Sequence, residues 1–375
     1  MHKLGSLEAS KSKSTVQLWE NEERNVASLY GSSAKMTTKL KRFCPRIFAL
    51  LSIFFVQLTL LGCAKKSPAQ TTPVDLNANV TVPFRFIAYG DARFHNPADF
   101  DAANPAVRAA LVRAVAGAYP AFICFTGDIV FRGSDRDDWK IFDRETSIWR
   151  DDKIPVFPAL GNHEFYENEK TAVPNYFQHF PDLKNSRYYS VRAANTLILV
   201  LDSSLNEVSG QQGEWLKTKL DHLPADVDFV FFMMHHPPYT SSDPGMFGEG
   251  HSARMPEKEL AKLLEDRQSH TRARFVVFSG HVHNYERHEH GGVTYFVTGG
   301  AGAHAYPIQR APTDPFQSKE INYHYLLVEV DHRQLSVTMN RLQLVDGKEI
   351  WTQPDSVKIA LPTAAAASAG ADGNH

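Results

Sequence analysis

Short apolar runs alternate with polar stretches along this chain, and five of the runs end on a residue able to bind metal or phosphate. Phe84 to Tyr89 leads into Gly90-Asp91, and Ala121 to Phe125 leads through Thr126 into Gly127-Asp128. Pro155 to Leu160 leads into Gly161-Asn162-His163-Glu164. Phe229 to Met234 leads into His235-His236, and Arg274 to Ser279 into Gly280-His281-Val282-His283. Runs this short and β-rich read as buried strands, and Thr196 to Leu201 and Val293 to Thr298 are two more. Between the first two strands, Val107, Ala110, Leu111, Ala114 and Val115 recur at helical spacing after an Asn-Pro start. That predicts a helix over 104–118 and a βαβ opening. Further helices are expected over 139–149, 211–220 and 257–265, and closing antiparallel strands over 325–330 and 334–339. Helices among the early strands and paired strands at the end predict a mixed α/β architecture.

The first 82 residues do not share this pattern. Lys39, Lys41, Arg42 and Arg46 precede an apolar stretch from Ile47 to Leu61, and Gly62-Cys63 follows at once. A basic region, an apolar region and a small residue describe a secretory signal over 36–62. Leu60-Leu61-Gly62-Cys63 resembles the bacterial lipobox, which implies a lipid on Cys63 and a place in the cell envelope outside the cytoplasm. An uncleaved membrane helix that ends by chance at Cys63 is the alternative. Residues 1–35 form a polar leader, read as an overextended gene start before Met36 or as a cytoplasmic tail. Residues 63–82 read as a flexible tether, and the Ala-, Gly- and Ser-rich 361–375 as a disordered tail. That leaves 83–360 as one working domain.

Composition adds limits. The 375 residues, 43% of them hydrophobic, suffice for one large core. A formal net charge of −2 argues against binding nucleic acid through a basic surface. Three cysteines cannot build a disulfide framework, and Cys124, inside an apolar run, reads as a core residue. The chemistry therefore lies at the strand ends, where open α/β sheets put their active sites. Two carboxylates, one amide and three or four imidazoles would meet there, as a metal centre suited to hydrolysis.

Taken in order, these motifs resemble those of the calcineurin-like metallophosphoesterases over about residues 84–305. The segment from Gly280 to Arg287 looks most like the purple acid phosphatase branch. The resemblance implies an α/β fold, a four-layer α/β/β/α sandwich of two mixed sheets, with two metal ions. One ion would take Asp128, Asn162, His235 and His281, and the other Asp91, Asp128 and His283, with Asp128 between them. Such mixed nitrogen and oxygen ligands suit transition metals (Fe, Zn, Mn or Co) over Ca or Mg. Aligning Tyr239 with an aromatic of the family makes His235 the ligand and leaves His236 a supporting or packing residue. His163 would contact the phosphate and protonate the leaving group, with Glu164 orienting its ring. A metal-bridging hydroxide would attack the phosphorus of a small phosphate ester in line.

The pattern also breaks. The superfamily's first motif is Asp-x-His, whereas this chain has Asp91-Ala92-Arg93, and arginine has no lone pair for a metal. The purple branch compensates with a tyrosine three residues after the bridging Asp, where this chain has Phe131. No tyrosinate-to-iron colour is expected. His95 is the nearest substitute ligand, and Arg93 itself is a candidate for gripping the phosphoryl group. His251 is open between a substrate-side role and a surface loop, His304 could lie near the site, and Arg287 reads as a salt-bridge partner. Phosphomonoesters are the favoured substrates. The rivals are a phosphodiesterase, such as one for cyclic nucleotides, and a binding protein with a degenerate metal site.

Overall fold

The computed structural model describes residues 73–242 and 251–362. The leader over 1–35, the signal over 36–62, Cys63 and residues 363–375 of the tail lie outside the described residues.

In chain order the early strands are β1 (Asp75–Asn77), β2 (Phe84–Tyr89), β3 (Ile123–Phe125), β4 (Val156–Pro158), β5 (Tyr189–Ala193), β6 (Thr196–Val200) and β7 (Phe229–Met233). The later ones are β8 (Arg274–Ser279), β9 (Tyr285–His290), β10 (Val293–Thr298), β11 (Tyr323–Val330), β12 (Gln334–Val345), β13 (Lys348–Thr352) and β14 (Ser356–Ala360). The helices are α1 (Pro105–Gly117), α2 (Arg136–Glu145), α3 (Ser147–Asp151), α4 (Glu169–His179), α5 (Gly210–Asp221) and α6 (Met255–Ser269). One seven-stranded sheet runs β1-β5-β6-β7-β8-β10-β9. The other runs β13-β12-β11-β2-β3-β4, with β14 sharing the long β12 alongside β13. Both are mixed: β2, β3 and β4 are parallel, as are β6, β7, β8 and β10, while β11 and β12 close antiparallel.

Successive side chains on a strand point to opposite faces, and β7 shows what that does here. Phe229, Phe231 and Met233 join the core that also holds residues of the second sheet. Val230 and Phe232 face the other way, into a core with Leu216 and Leu220 of α5 and Leu260 and Leu264 of α6. On the second sheet, Phe86 meets Phe122, Phe231 and Phe278 at ring separations of 5.0, 5.1 and 6.3 Å. Its neighbour Tyr89 on the opposite face meets Trp149 of α3 at 6.0 Å. The order is thus helices, sheet, sheet, helices, the expected four-layer sandwich of two mixed sheets.

Local chemistry sets the helix starts. Asn104 accepts the N–H groups of Ala106 and Val107 at 3.1 and 3.2 Å, and Pro105 follows at a position where its missing N–H costs nothing. Asp135 caps α2 by accepting from Asp137. The helix expected over 139–149 is two helices, α2 and α3, that meet at Thr146. Helix α4 had no sequence signal because Pro174 lies within it, a residue that argues against helix. Two boundaries move. The tether expected over 63–82 cannot extend so far, because Asp75–Asn77 pairs in parallel with β5 and Lys219 reaches Asp75 at 2.6 Å. The tail expected over 361–375 does not include Leu361, which is buried and whose N–H donates to the Arg333 carbonyl.

Phe86 lies where the two sheets touch, so truncating it opens a cavity at their interface. Phe86→Ala is expected to cost about 3–5 kcal/mol in urea unfolding, with its slope unchanged.

Candidate metal centre

The parallel strands of both sheets end at the same edge, and each ligand candidate is the second to fourth residue past such an end. Asp91 follows β2, Asp128 follows β3 and Asn162 follows β4, all from one sheet; His235 and His281 follow β7 and β8 of the other. The turns are tight. Asp91, Asp128 and His281 have φ of 65°, 53° and 68°, a left-handed backbone that costs roughly 1–3 kcal/mol for each side chain that adopts it. Two glycines let the loops close. Gly127 has φ of 92°, and a Cβ there would lie 2.8 Å from Gly161 and from His235 Nδ1. A Cβ on Gly161 would lie 2.3 Å from Asp128 Oδ1.

Backbone carbonyls decide which ring nitrogen carries the proton in three of the histidines. His235 Nδ1 donates to the Thr126 carbonyl at 2.9 Å, His283 Nδ1 to the His304 carbonyl at 2.8 Å, and His163 Nδ1 to the Phe131 carbonyl at 2.6 Å. A carbonyl can only accept, so all three Nε2 atoms keep their lone pairs. His235 Nε2 then lies 2.9 Å from Asn162 Oδ1, 3.1 Å from His281 Nδ1 and 3.3 Å from Asp128 Oδ1. Asn162 Oδ1 is in turn 3.1 Å from His281 Nδ1. Donor atoms about 2.1 Å from one ion stand about 3.0–3.4 Å apart, so this is the spacing of a cation's ligand shell.

A second group lies beside it. His281 N–H donates to Asp91 Oδ1 and Oδ2 at 3.1 and 3.0 Å, and His283 Nε2, buried and without a hydrogen-bond partner, is 3.7 Å from Asp91 Oδ1. Arg93 approaches Asp128 Oδ2 at 3.3 Å. Burial, and then the Asp128 charge, push the Asp91 pKa well up. Burial would also raise Asp128, but the His235, His163 and Arg93 groups outweigh it and hold it low. Burial holds the His281 and His283 rings well below their ordinary pKa, reinforced for His281 by crowding with other histidines and for His283 by Arg93, and burial lowers His235 too. Neutral imidazoles, two buried carboxylates and an orphaned lone pair fit bound metal. The carboxylates and His235 and His283 are buried; Asn162 and His281 form the side open to solvent.

Comparison with known proteins agrees with this geometry. Residues 85–285, more than half of the chain, match the calcineurin-like phosphoesterase family. The chain is a calcineurin-like phosphoesterase. Among curated relatives it is similar to purple acid phosphatase 15 of Arabidopsis thaliana, 28% identical over 143 residues that cover 36% of this chain and 25% of that one. Purple acid phosphatase 21 of the same plant is 28% identical over 171 residues, covering 43% and 37%. The phosphoesterase thus spans only a quarter to little over a third of these relatives. Among solved structures, a purple acid phosphatase from yellow lupin (Lupinus luteus) seeds superposes with a TM-score of 0.60 at 17% identity, covering 75% of this chain and 54% of that one. A dimetal phosphatase from Danio rerio gives 0.51 at 14% identity, covering 74% and 99%. These identities establish the shared fold.

Several sequence expectations change in this phosphoesterase. Glu164 does not orient His163. Its carboxylate accepts the N–H groups of Asp128, Ile129, Val130 and Gly161 at 2.9, 2.8, 3.3 and 2.7 Å. Burial and the Asp128 charge raise its pKa, while the four amide donors favour the ionised form. It is a positioning residue that ties the loop after β3 to the loop after β4. His95 is no substitute ligand, because its ring nitrogens are engaged by Asp138 and Asp99. Phe131 packs on the His163 ring at 5.3 Å. His236 bonds Ser203 through Nδ1 at 2.8 Å, and could also join His235 and His281 around an ion. The His251 ring lies tilted against the His281 ring, 4.0 Å between centroids, so it belongs to the site's rim. Arg287 pairs with Asp355 at 2.9 Å. The Thr126, Phe131 and His304 carbonyls, which set three tautomers, carried no sequence signal.

Glu164→Gln tests the positioning role. A Gln side chain would turn an NH2 toward amide donors, so unfolding stability should fall by about 2–3 kcal/mol and metal affinity with it. Unchanged stability would return Glu164 to a role on His163 alone.

Proposed function

We propose that this phosphoesterase hydrolyses phosphate monoesters of small molecules with two transition-metal ions (Fe, Zn, Mn or Co). We also propose that it acts outside the cytoplasm, tethered by a lipid on Cys63. One observation carries the enzymatic reading: Asn162 Oδ1, His281 Nδ1 and Asp128 Oδ1 crowd within 3.3 Å of His235 Nε2 although its one ring proton is committed to Thr126. A shared cation would account for lone pairs gathered so closely.

The first ion would be held by Asp128, Asn162, His235 and His281, and the second by Asp91, Asp128 and His283. Such a pair, when bound, acidifies water and neutralises phosphoryl oxygens. The chain's own residues supply the rest. Arg93, half-buried beside Asp128, offers a fixed positive charge, which suits the doubly charged group of a monoester better than a diester. His163 keeps its Nε2 lone pair toward the site, 3.8 Å from Asp128 Oδ2, where it can hold a proton and return it to a leaving oxygen. Phe131 and Tyr166, at 5.3 and 5.4 Å from that ring, restrict its motion and keep water from its flanks. Relatives and structural neighbours named as phosphatases support the same reading.

The test is hydrolysis of nitrophenyl phosphate and its bis-ester by the full chain, supplied in turn with Mn, Zn, Fe and Co. Monoester turnover is expected, and Asp128→Asn should lower kcat about a thousandfold. Cleavage of the diester alone would make the protein a phosphodiesterase. No turnover with two ions bound would make it a binding protein.

The anchor rests on Leu60-Leu61-Gly62-Cys63, residues outside those the structure describes. No helix of the described residues is long and apolar enough to cross a membrane. Intact mass of the native product should show Cys63 as the first residue, carrying acyl chains, and Cys63→Ser should release the protein from membranes. A mature chain that starts before Cys63 would sink this part.

A further inference from the structure

The two oxygens of Asp128 have different company. Oδ1 accepts the His163 N–H at 3.0 Å and stands 3.3 Å from His235 Nε2, on the side that Asn162 and His281 complete. Oδ2 stands 3.3 Å from the Arg93 guanidinium. The backbone holds Arg93 in place. Its φ is 47°, its N–H donates to the Asp128 carbonyl at 3.0 Å, and its carbonyl accepts from Arg108, which pairs with Glu145 at 2.8 Å.

On this side, among the described residues, Asp128 is joined by Asp91, whose two oxygens both accept the His281 N–H, and by His283, whose Nε2 is a buried lone pair. The two positions expected to complete the set cannot: His95 is held between Asp138 and Asp99, and Phe131 has no donor atom. A guanidinium is a permanent cation without a lone pair. It therefore competes for the Asp128 oxygen and repels any ion placed beside it.

We propose that Arg93 stands in for part of the second cation's charge, so that the two metal positions fill unequally. The position formed by Asn162, His235 and His281 fills first and tightly. The position formed by Asp91 and His283 fills weakly, and Arg93 sets the gap. The inference rests on the two-metal reading above. Since ligand-shell changes alter affinity by about 10–100-fold, the second ion should bind about a hundredfold more weakly than the first.

The experiment is a calorimetric titration of the metal-stripped full chain with Co2+, without substrate, together with metal analysis after dialysis. One ion should survive dialysis, and the second should enter only at excess. Arg93→Met, which removes the charge, should narrow the gap at least about tenfold, whereas Arg93→Lys should preserve it. His283→Ala should abolish the weak step and spare the tight one, with thermal unfolding used to verify that each variant is folded. Two equal affinities in the unaltered protein, or a gap unchanged in folded Arg93→Met, would overturn the inference alone. No bound ion at all would overturn the two-metal reading as well.

Discussion

Four backbone amides converge on one buried carboxylate, and the geometry of the candidate metal centre depends on it. Glu164 accepts from Asp128, Ile129, Val130 and Gly161, so it joins the turn after β3 to the turn after β4. Those turns carry Asp128 and Asn162. Without an acceptor there, a cluster of N–H groups would be buried unpaired, at a cost of about 1–3 kcal/mol each. The left-handed backbone at Asp128 opposes this arrangement, and the four hydrogen bonds offset it. The candidate ligand Asp128 can stand in a strained position because a neighbouring carboxylate over-determines the loop.

The two sheets supply the rigidity behind that loop. Phe86, Phe231 and Phe278 lock the sheets face to face, and the ligand-bearing turns rise from the same strands a few residues further on. The helices on the outer faces bury the alternate residues of those strands. A ligand set drawn from both sheets keeps its spacing only while the sheets keep theirs, which couples core packing to chemistry. Within the site, backbone carbonyls hold the ring protons of His235, His283 and His163 on Nδ1, so each Nε2 lone pair is left free. The same burial that makes these rings neutral makes two adjacent carboxylates costly until a cation arrives.

Much of this was legible because strand ends announce themselves. An apolar run followed by Gly and a polar residue marks a buried strand that stops at a tight turn, and Gly127 and Gly161 prove to be needed for close approach. Asp91, Asp128, Asn162, His235, His281 and His283 are candidates for that reason, and the family resemblance divides them between two ions. Glu164 was named and given the wrong task, because adjacency in sequence suggested His163 while its side chain turns toward the loop after β3. His95 is four residues from Asp91, yet its ring is held by Asp138, 43 residues further along. His251 had no periodic signal and is brought to His281 only by the fold.

Residue type and spacing by themselves determined the strands, the order of the motifs, the chemical kinds of ligand and the presence of an arginine where a ligand is expected. Those are properties of local pattern: burial needs apolar runs, tight turns need glycine, and metal chemistry needs particular side chains. Only the tertiary structure decided that Arg93 faces Asp128 Oδ2, that His95 is committed elsewhere, and that main-chain oxygens of Thr126, Phe131 and His304 set the tautomers. Every residue has the same carbonyl, so its role is set by position alone, and position is settled when two sheets pack.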